Sequence, residues 1–134
     1  MYHQEKSKHS SRKASELIQS KLLEVGGTAV IPLLNGEPCE IVASKNGFIS
    51  DKLNNYNILY EFSVFDVITD LLVKQGGKAK KGNGRGPNDK VGLGKCSLDT
   101  VVGYIARQYA GVELGKSCFD PVFVLAAVME WAGA

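Results

Sequence analysis

The 134-residue chain predicts a small α+β domain in which about three antiparallel strands pack with about four helices. Apolar residues recur at helical spacing in four segments, and turn-forming sequences separate short strand-like runs in one region. Hydrophobic residues make up 44% of the chain and charged residues 22%, which is ordinary for a globular protein. We therefore expect a flexible N-terminus over residues 1–10 and a single globular domain over residues 11–134.

The first third of the chain predicts one helix followed by the sheet. Ala14, Ile18 and Leu22 fall on one helical face, and Gly26-Gly27 predicts the end of that helix. The run 28–34 and the run 39–44 flank the turn sequence Asn-Gly-Glu-Pro, and a second turn leads to a third strand at 48–50.

Pro32 carries no N–H to donate to a neighbouring strand, so we expect the first strand at an edge of the sheet or bulged. Residues 51–61 contain three Asn within four positions and are interpreted as a loop.

The rest of the chain predicts three more helices. Ser63 and Asp66 resemble a capping box at the start of the second helix. Ser97 is expected to begin the third helix. Asp120-Pro121 is expected to begin a fourth, which is apolar on nearly every face and so predicts a central helix or an oligomer contact.

Residues 110–117 have the spacing A-x-x-x-x-G-K-S, which satisfies a loose P-loop pattern. A working P-loop follows a buried strand, whereas the residues before this one have helical periodicity. The pattern also leaves no room for a later strand with a magnesium-binding Asp. We interpret Gly111 and Gly115 as a turn between the third and fourth helices.

The most unusual segment is the basic segment, residues 74–90, which carries six basic residues, one acidic residue and five glycines. Its net charge is +5, although that of the whole chain is only +2. It contains no apolar side chain larger than alanine, so we expect a mobile loop. The residues that we assign to phosphate contacts are Lys74, Lys78, Lys80, Lys81, Gly82, Gly84, Arg85 and Lys90.

Three interpretations of the basic segment stay open: binding of nucleic acid or another polyanion, binding of a small phosphate-bearing ligand, and a solvated loop that only aids solubility. The segment has no aromatic residue, so stacking on bases needs a platform elsewhere. Tyr56, Tyr60 and Phe62 are candidates for it, although a role in the core suits them better.

The sequence favours a non-enzymatic protein. The two histidines, His3 and His9, lie in the polar N-terminus, so the folded body lacks the commonest general base. A nuclease-like set could be assembled from Glu40, Asp66, Asp70 and Lys78, but no motif supports it. We assign no catalytic residue and no cofactor.

The sequence assigns no metal site either. The three cysteines, Cys39, Cys96 and Cys118, are widely spaced and are expected to be buried, reduced thiols.

Our leading hypothesis is a cytoplasmic protein that binds DNA or RNA through the basic segment. The alternative is a non-enzymatic assembly protein that forms a homodimer through the apolar C-terminal helix. We expect no membrane span, because no apolar run approaches the length that a bilayer requires.

Overall fold

A computed structural model describes residues 12–134 of the chain, so residues 1–10, expected to be flexible, lie outside the described range. Within it, four α-helices pack with one four-stranded antiparallel sheet, which confirms the α+β class. The buried side chains form one contiguous hydrophobic cluster. No helix between residues 12 and 134 is both long and apolar enough to cross a membrane.

The sheet is a meander in which neighbouring strands follow each other in sequence. Its strands are β1 (Thr28–Pro32), β2 (Pro38–Ser44), β3 (Gly47–Ser50) and β4 (Tyr60–Glu61). β1 lies at one edge, as the proline at its end predicted. The sheet has one strand more than expected, because β4 lies in the segment interpreted as a loop.

Two features hold β4 in place. A side chain on Gly47 would collide with the backbone carbonyl oxygen of Tyr60, so only glycine lets β4 approach β3 this closely. The Glu61 amide also donates to the Tyr109 hydroxyl at 2.9 Å. On its other side, β4 is therefore bonded to a side chain that is distant in sequence, and local sequence patterns do not reveal such a partner.

Helix α1 (Ala14–Glu24) and helix α2 (Val64–Lys74) pack against each other. The predicted capping box at Ser63 is wrong, because the Ser63 side chain makes no capping hydrogen bond. The carboxylate of Asp66 instead accepts from the Ser15 amide at 3.0 Å, at the N-terminal end of α1. This carboxylate therefore joins two helices and satisfies a free amide of the first turn of α1.

Helix α3 (Val101–Tyr104) continues directly into a π-helical turn at Ile105–Tyr109. It begins three residues later than a cap at Ser97 predicted, because Thr100 caps it instead: the Thr100 hydroxyl accepts from the Gly103 amide at 3.1 Å. Residues 101–106 are all buried, so this helix passes through the core.

Helix α4 (Val122–Ala132) begins where the sequence predicted. The Asp120 carboxylate accepts from the Val122 amide at 3.1 Å and so satisfies an amide at the helix start. Val124, Leu125 and Val128 are completely buried, which agrees with the expectation of a central helix.

The segment between α3 and α4 is a turn. Gly111 and Gly115 both have positive φ, and the residues before them are helical. The P-loop interpretation is thereby excluded for this segment, since a strand does not precede it.

Candidate functional site

The basic segment starts at the last residue of α2 and runs towards the start of α3. The side chains of Lys78, Lys80, Lys81 and Arg85 are exposed. Lys90 is half-buried, and its ammonium group donates to the Ser117 hydroxyl at 2.9 Å. Four of the six predicted cations are thus exposed and belong to no ion pair between described residues.

Lys74 belongs to a separate cluster. Its ammonium group lies 3.4 Å from the Asp70 carboxylate and 3.1 Å from the Tyr104 hydroxyl. The Tyr104 hydroxyl also hydrogen-bonds to Asp70. That bond lowers the pKa of Asp70, while the same hydroxyl raises the pKa of Lys74. The assignment of Lys74 to phosphate contacts is the weakest of the predicted set, because its charge already has a partner.

The backbone of the basic segment is tied to the folded body, in contrast to the free loop that its composition suggested. The carbonyl oxygens of Lys80 and Lys81 accept from the amides of Val101 and Val102, each at 2.9 Å. Those amides belong to the first turn of α3, where no intrahelical acceptor exists for them. The segment therefore caps α3 with its main chain.

A further backbone bond joins the Asn83 amide to the Lys95 carbonyl oxygen at 2.8 Å. Close packing explains why the residues on either side of Asn83 are glycines. A Cβ on Gly82 would lie 2.6 Å from both the Lys95 carbonyl oxygen and the Thr100 hydroxyl. The missing side chains of Gly82 and Gly84 let the segment lie against its own protein, and their assignment to phosphate contacts stays a prediction.

Four exposed cations of the segment take part in neither of the two ion pairs found between described residues; they are Lys78, Lys80, Lys81 and Arg85. Those pairs are Lys52 with Glu37, and Lys74 with Asp70. Lys80 acts on one nearby carboxylate, Asp99, whose pKa is lowered chiefly by the Ser97 hydroxyl and also by the charge of Lys80. The positive charge of the segment is thus largely available to a ligand.

A groove of about 530 Å³ lies beside these cations. Lys81 and Arg85 form part of one wall, and the exposed face of α4 contributes to the rest. The groove also carries two carboxylates, Asp120 and Glu130. Its apolar lining comes from Pro32, Leu33, Leu34, Val122, Phe123, Ala126, Ala127 and Trp131.

A second groove of about 390 Å³ shares Arg85, Asp120 and Phe123 with the first. The Arg85 guanidinium carbon lies 5.9 Å from the centre of the Phe123 ring, within reach of a cation–π interaction. Arg85 and Phe123 therefore form a wall common to both grooves.

The predicted aromatic platform is wrong for two of its three members. Tyr60 and Phe62 are buried in the core, as the simpler interpretation held. Tyr56 is exposed, but its hydroxyl donates to Glu40 at 2.6 Å. Aromatic rings that do line a groove with these cations include Phe123 and Trp131, which belong to the helix that the sequence predicts as a central helix or an oligomer contact. Their position opposite the basic segment follows from tertiary packing.

The candidate nuclease set is dispersed among other interactions. Asp66 accepts from α1, Asp70 is held by Tyr104, and Glu40 accepts from Tyr56. Within residues 12–134 no group of three or more His, Cys, Asp or Glu side chains could hold a metal ion. His3 and His9 lie outside the described residues.

No protein-family description, curated protein or solved structure gives a significant match to this chain. A function is therefore argued from the charges and grooves of the chain itself.

Proposed function

We propose that the chain binds single-stranded nucleic acid, with phosphates at the exposed cations of the basic segment and a base in the adjoining groove. The observation that supports this most is a set of four exposed cations that have no ion-pair partner among residues 12–134: Lys78, Lys80, Lys81 and Arg85. The main chain of two of them, Lys80 and Lys81, is hydrogen-bonded to α3, so the positions of these two are partly organised before a ligand arrives.

The groove is the reason why we propose single-stranded rather than double-stranded nucleic acid. Phe123 and Trp131 are half-buried aromatic rings in the groove next to Lys81 and Arg85. A base that is not paired can stack on such rings, whereas a base inside a duplex cannot reach them. Asp120 and Glu130 repel phosphates, but a carboxylate accepts hydrogen bonds from the exocyclic amino groups of bases. The groove therefore suits a base better than a phosphate.

The alternative function, a homodimer through the C-terminal helix, has less exposed surface to support it. Val122, Leu125 and Val128 are buried within the chain itself, and Phe123 and Trp131 are partly covered. Sedimentation over a range of concentrations separates the two functions, since a dimer dissociates on dilution and a monomer does not change.

The test of the proposed function is a fluorescence-anisotropy titration with labelled single-stranded DNA, single-stranded RNA and duplex DNA at several salt concentrations. For single strands, log K falls against log salt with a slope of about −0.7 per phosphate contact, so four contacts predict a slope of about −3. In a variant with alanine at Lys78, Lys80, Lys81 and Arg85, we expect the affinity and most of this slope to be lost.

The matched control removes the same number of charges elsewhere. Its four sites are exposed and line neither groove; the changes are Arg12→Ala, Lys13→Ala, Lys45→Asn and Lys116→Ala. Asn is used at Lys45 because that residue has a positive φ of 52°. If both variants lose affinity equally, net charge alone explains binding and the assignment of the site is wrong.

A groove variant, Phe123→Leu, tests the base subsite separately. Stacking contributes about 1–3 kcal/mol per base, so we expect single-strand affinity to fall about fivefold or more while any duplex affinity stays unchanged. Equal losses for single strands and duplex would contradict the preference for single strands.

A further inference from the structure

Two cysteines that are 22 residues apart in sequence meet in the structure. The sulfur atoms of Cys96 and Cys118 lie 3.6 Å apart. The third cysteine, Cys39, is completely buried, and its sulfur contacts the Ser50 hydroxyl at 3.2 Å. The spacing of the three cysteines in sequence does not indicate which of them are neighbours in the fold.

The surroundings of the two cysteines allow their sulfur atoms to come close enough to form a disulfide. A disulfide has a sulfur–sulfur length of about 2.05 Å, so the two atoms must move together by about 1.5 Å. Cys118 belongs to residues 110–121, which contain no helix or strand, and Cys96 ends a short 3-10 turn at Gly94–Cys96. Neither sulfur is fixed by a long regular element.

Gly84 makes room for the Cys118 sulfur. A Cβ on that glycine would lie only 3.2 Å from the sulfur atom. Cys118 is half-buried and lines the second groove, so a small oxidant can reach it from solvent. Cys96 is completely buried behind it.

This difference in burial separates the roles of the two thiols. Burial, followed by the contact with Cys118, raises the pKa of Cys96. The accessible Cys118 is therefore the thiol that an oxidant meets first, and it reacts as the thiolate, which is the nucleophile.

We propose that Cys96 and Cys118 are a modification site, at which a hydrogen-peroxide-type oxidant closes a reversible disulfide. In the first step, the Cys118 thiolate attacks peroxide: a sulfur–oxygen bond forms, the oxygen–oxygen bond breaks and hydroxide leaves. This step oxidises the sulfur to sulfenic acid and reduces the peroxide by two electrons. The Cys96 sulfur then attacks the Cys118 sulfur, the sulfur–oxygen bond breaks, and the departing hydroxide leaves with the Cys96 proton as water.

The disulfide would join two loops that both contact the basic segment. The Lys95 carbonyl oxygen, next to Cys96, accepts from the Asn83 amide, while the Cys118 sulfur lies against Gly84. The cross-link would thus lie beside the centre of the segment. A dithiol reductant reverses it by returning two electrons and two protons. The proposal is independent of what the segment binds.

The test is peptide mapping of the full chain after treatment with equimolar hydrogen peroxide, followed by alkylation of free thiols. Trypsin separates the three cysteines into different peptides, since Lys95 and Lys116 each precede a cysteine-bearing stretch. We expect peptide 96–107 linked to peptide 117–134, with Cys39 fully alkylated after unfolding. Dithiothreitol should restore both separate peptides.

Two variants make the result decisive. Cys39→Ala should give the same linked peptide, and Cys118→Ser should give none and leave Cys96 reduced. The proposal is overturned if Cys118 advances to sulfinic acid while Cys96 remains alkylatable. It is equally overturned if cross-links to Cys39 or between chains form as readily as the expected one.

Discussion

Replacing Gly82 with alanine tests whether the basic segment is packed against α3 as the structure shows. Gly82 has a φ of +80°, a conformation that costs a non-glycine residue about 1–2 kcal/mol. The new Cβ would also lie 2.6 Å from the Lys95 carbonyl oxygen and 2.7 Å from the Thr100 Cβ. Contacts this short force the segment away from the helix start.

The size of the effect follows from what that movement breaks. The carbonyl oxygens of Lys80 and Lys81 would leave the Val101 and Val102 amides, and each hydrogen bond contributes about 1 kcal/mol net. Added to the cost of the positive φ, this predicts that Gly82→Ala lowers the free energy of unfolding by about 3–4 kcal/mol.

Gly111→Ala is the matched control. Gly111 has a φ of +68°, but no atom lies within 4 Å of the position that its Cβ would take. Its substitution should therefore cost only the conformational term, about 1–2 kcal/mol. Urea denaturation followed by circular dichroism measures both values. Equal losses of unfolding free energy in the two variants would show that the segment does not pack on α3. The cations of the segment would then not be pre-organised.

Two further predictions concern the surroundings of the site. Thr100→Ala should lower the free energy of unfolding by about 1 kcal/mol in the same assay, because α3 loses its capping hydroxyl, while Thr100→Ser should retain most of the stability. Tyr104→Phe should raise the pKa of Asp70 towards its ordinary value, because the main cause of the lowered pKa is the Tyr104 hydroxyl; an NMR titration of the carboxyl group measures this. A carboxyl group whose pKa is lower in the folded state stabilises the protein at pH values above its unfolded-state pKa, and this stabilisation is lost as the pH falls through its folded-state pKa. The difference in stability between wild type and Tyr104→Phe should therefore shrink below about pH 4. An undiminished difference there would contradict the assignment of the lowered Asp70 pKa to the Tyr104 hydroxyl.

Features encoded locally were the ones that the sequence predicted well. The periodicity around Ile18 and Leu22 identified α1, and Asp120-Pro121 identified the start of α4. Pro32 placed β1 at an edge because a missing N–H is a property of the residue itself.

Features that depend on distant partners were missed. Residues 60–61 become a strand because Gly47 lets them approach β3 and Tyr109 accepts the Glu61 amide. The start of α3 was misplaced because Leu98 continues the apolar pattern, although its side chain is 41% exposed and lies before the helix. Helical spacing alone does not distinguish a turn from the first turn of a helix.

The positive charge of the candidate site could be predicted from the sequence, but its neighbouring residues could not. Composition identified the exposed cations of the basic segment, since a count of lysines needs no fold. It did not reveal that Phe123 and Trp131 line a groove with two of them, or that the thiols of Cys96 and Cys118 lie side by side with the Cys118 sulfur against Gly84. Those neighbours are brought together by the fold across long stretches of sequence.

Lys80 and Lys81 contribute to the fold through their main chain and to the charge of the surface through their side chains. Their carbonyl oxygens face inward and hold the first turn of α3, while their ammonium groups are left in solvent. Almost any residue type offers the same carbonyl oxygen, so lysine at these two positions is not a requirement of the architecture. Charge there can be added, removed or reversed by substitution with little penalty in folding, which makes this stretch a place where recognition can be retuned without rebuilding the scaffold.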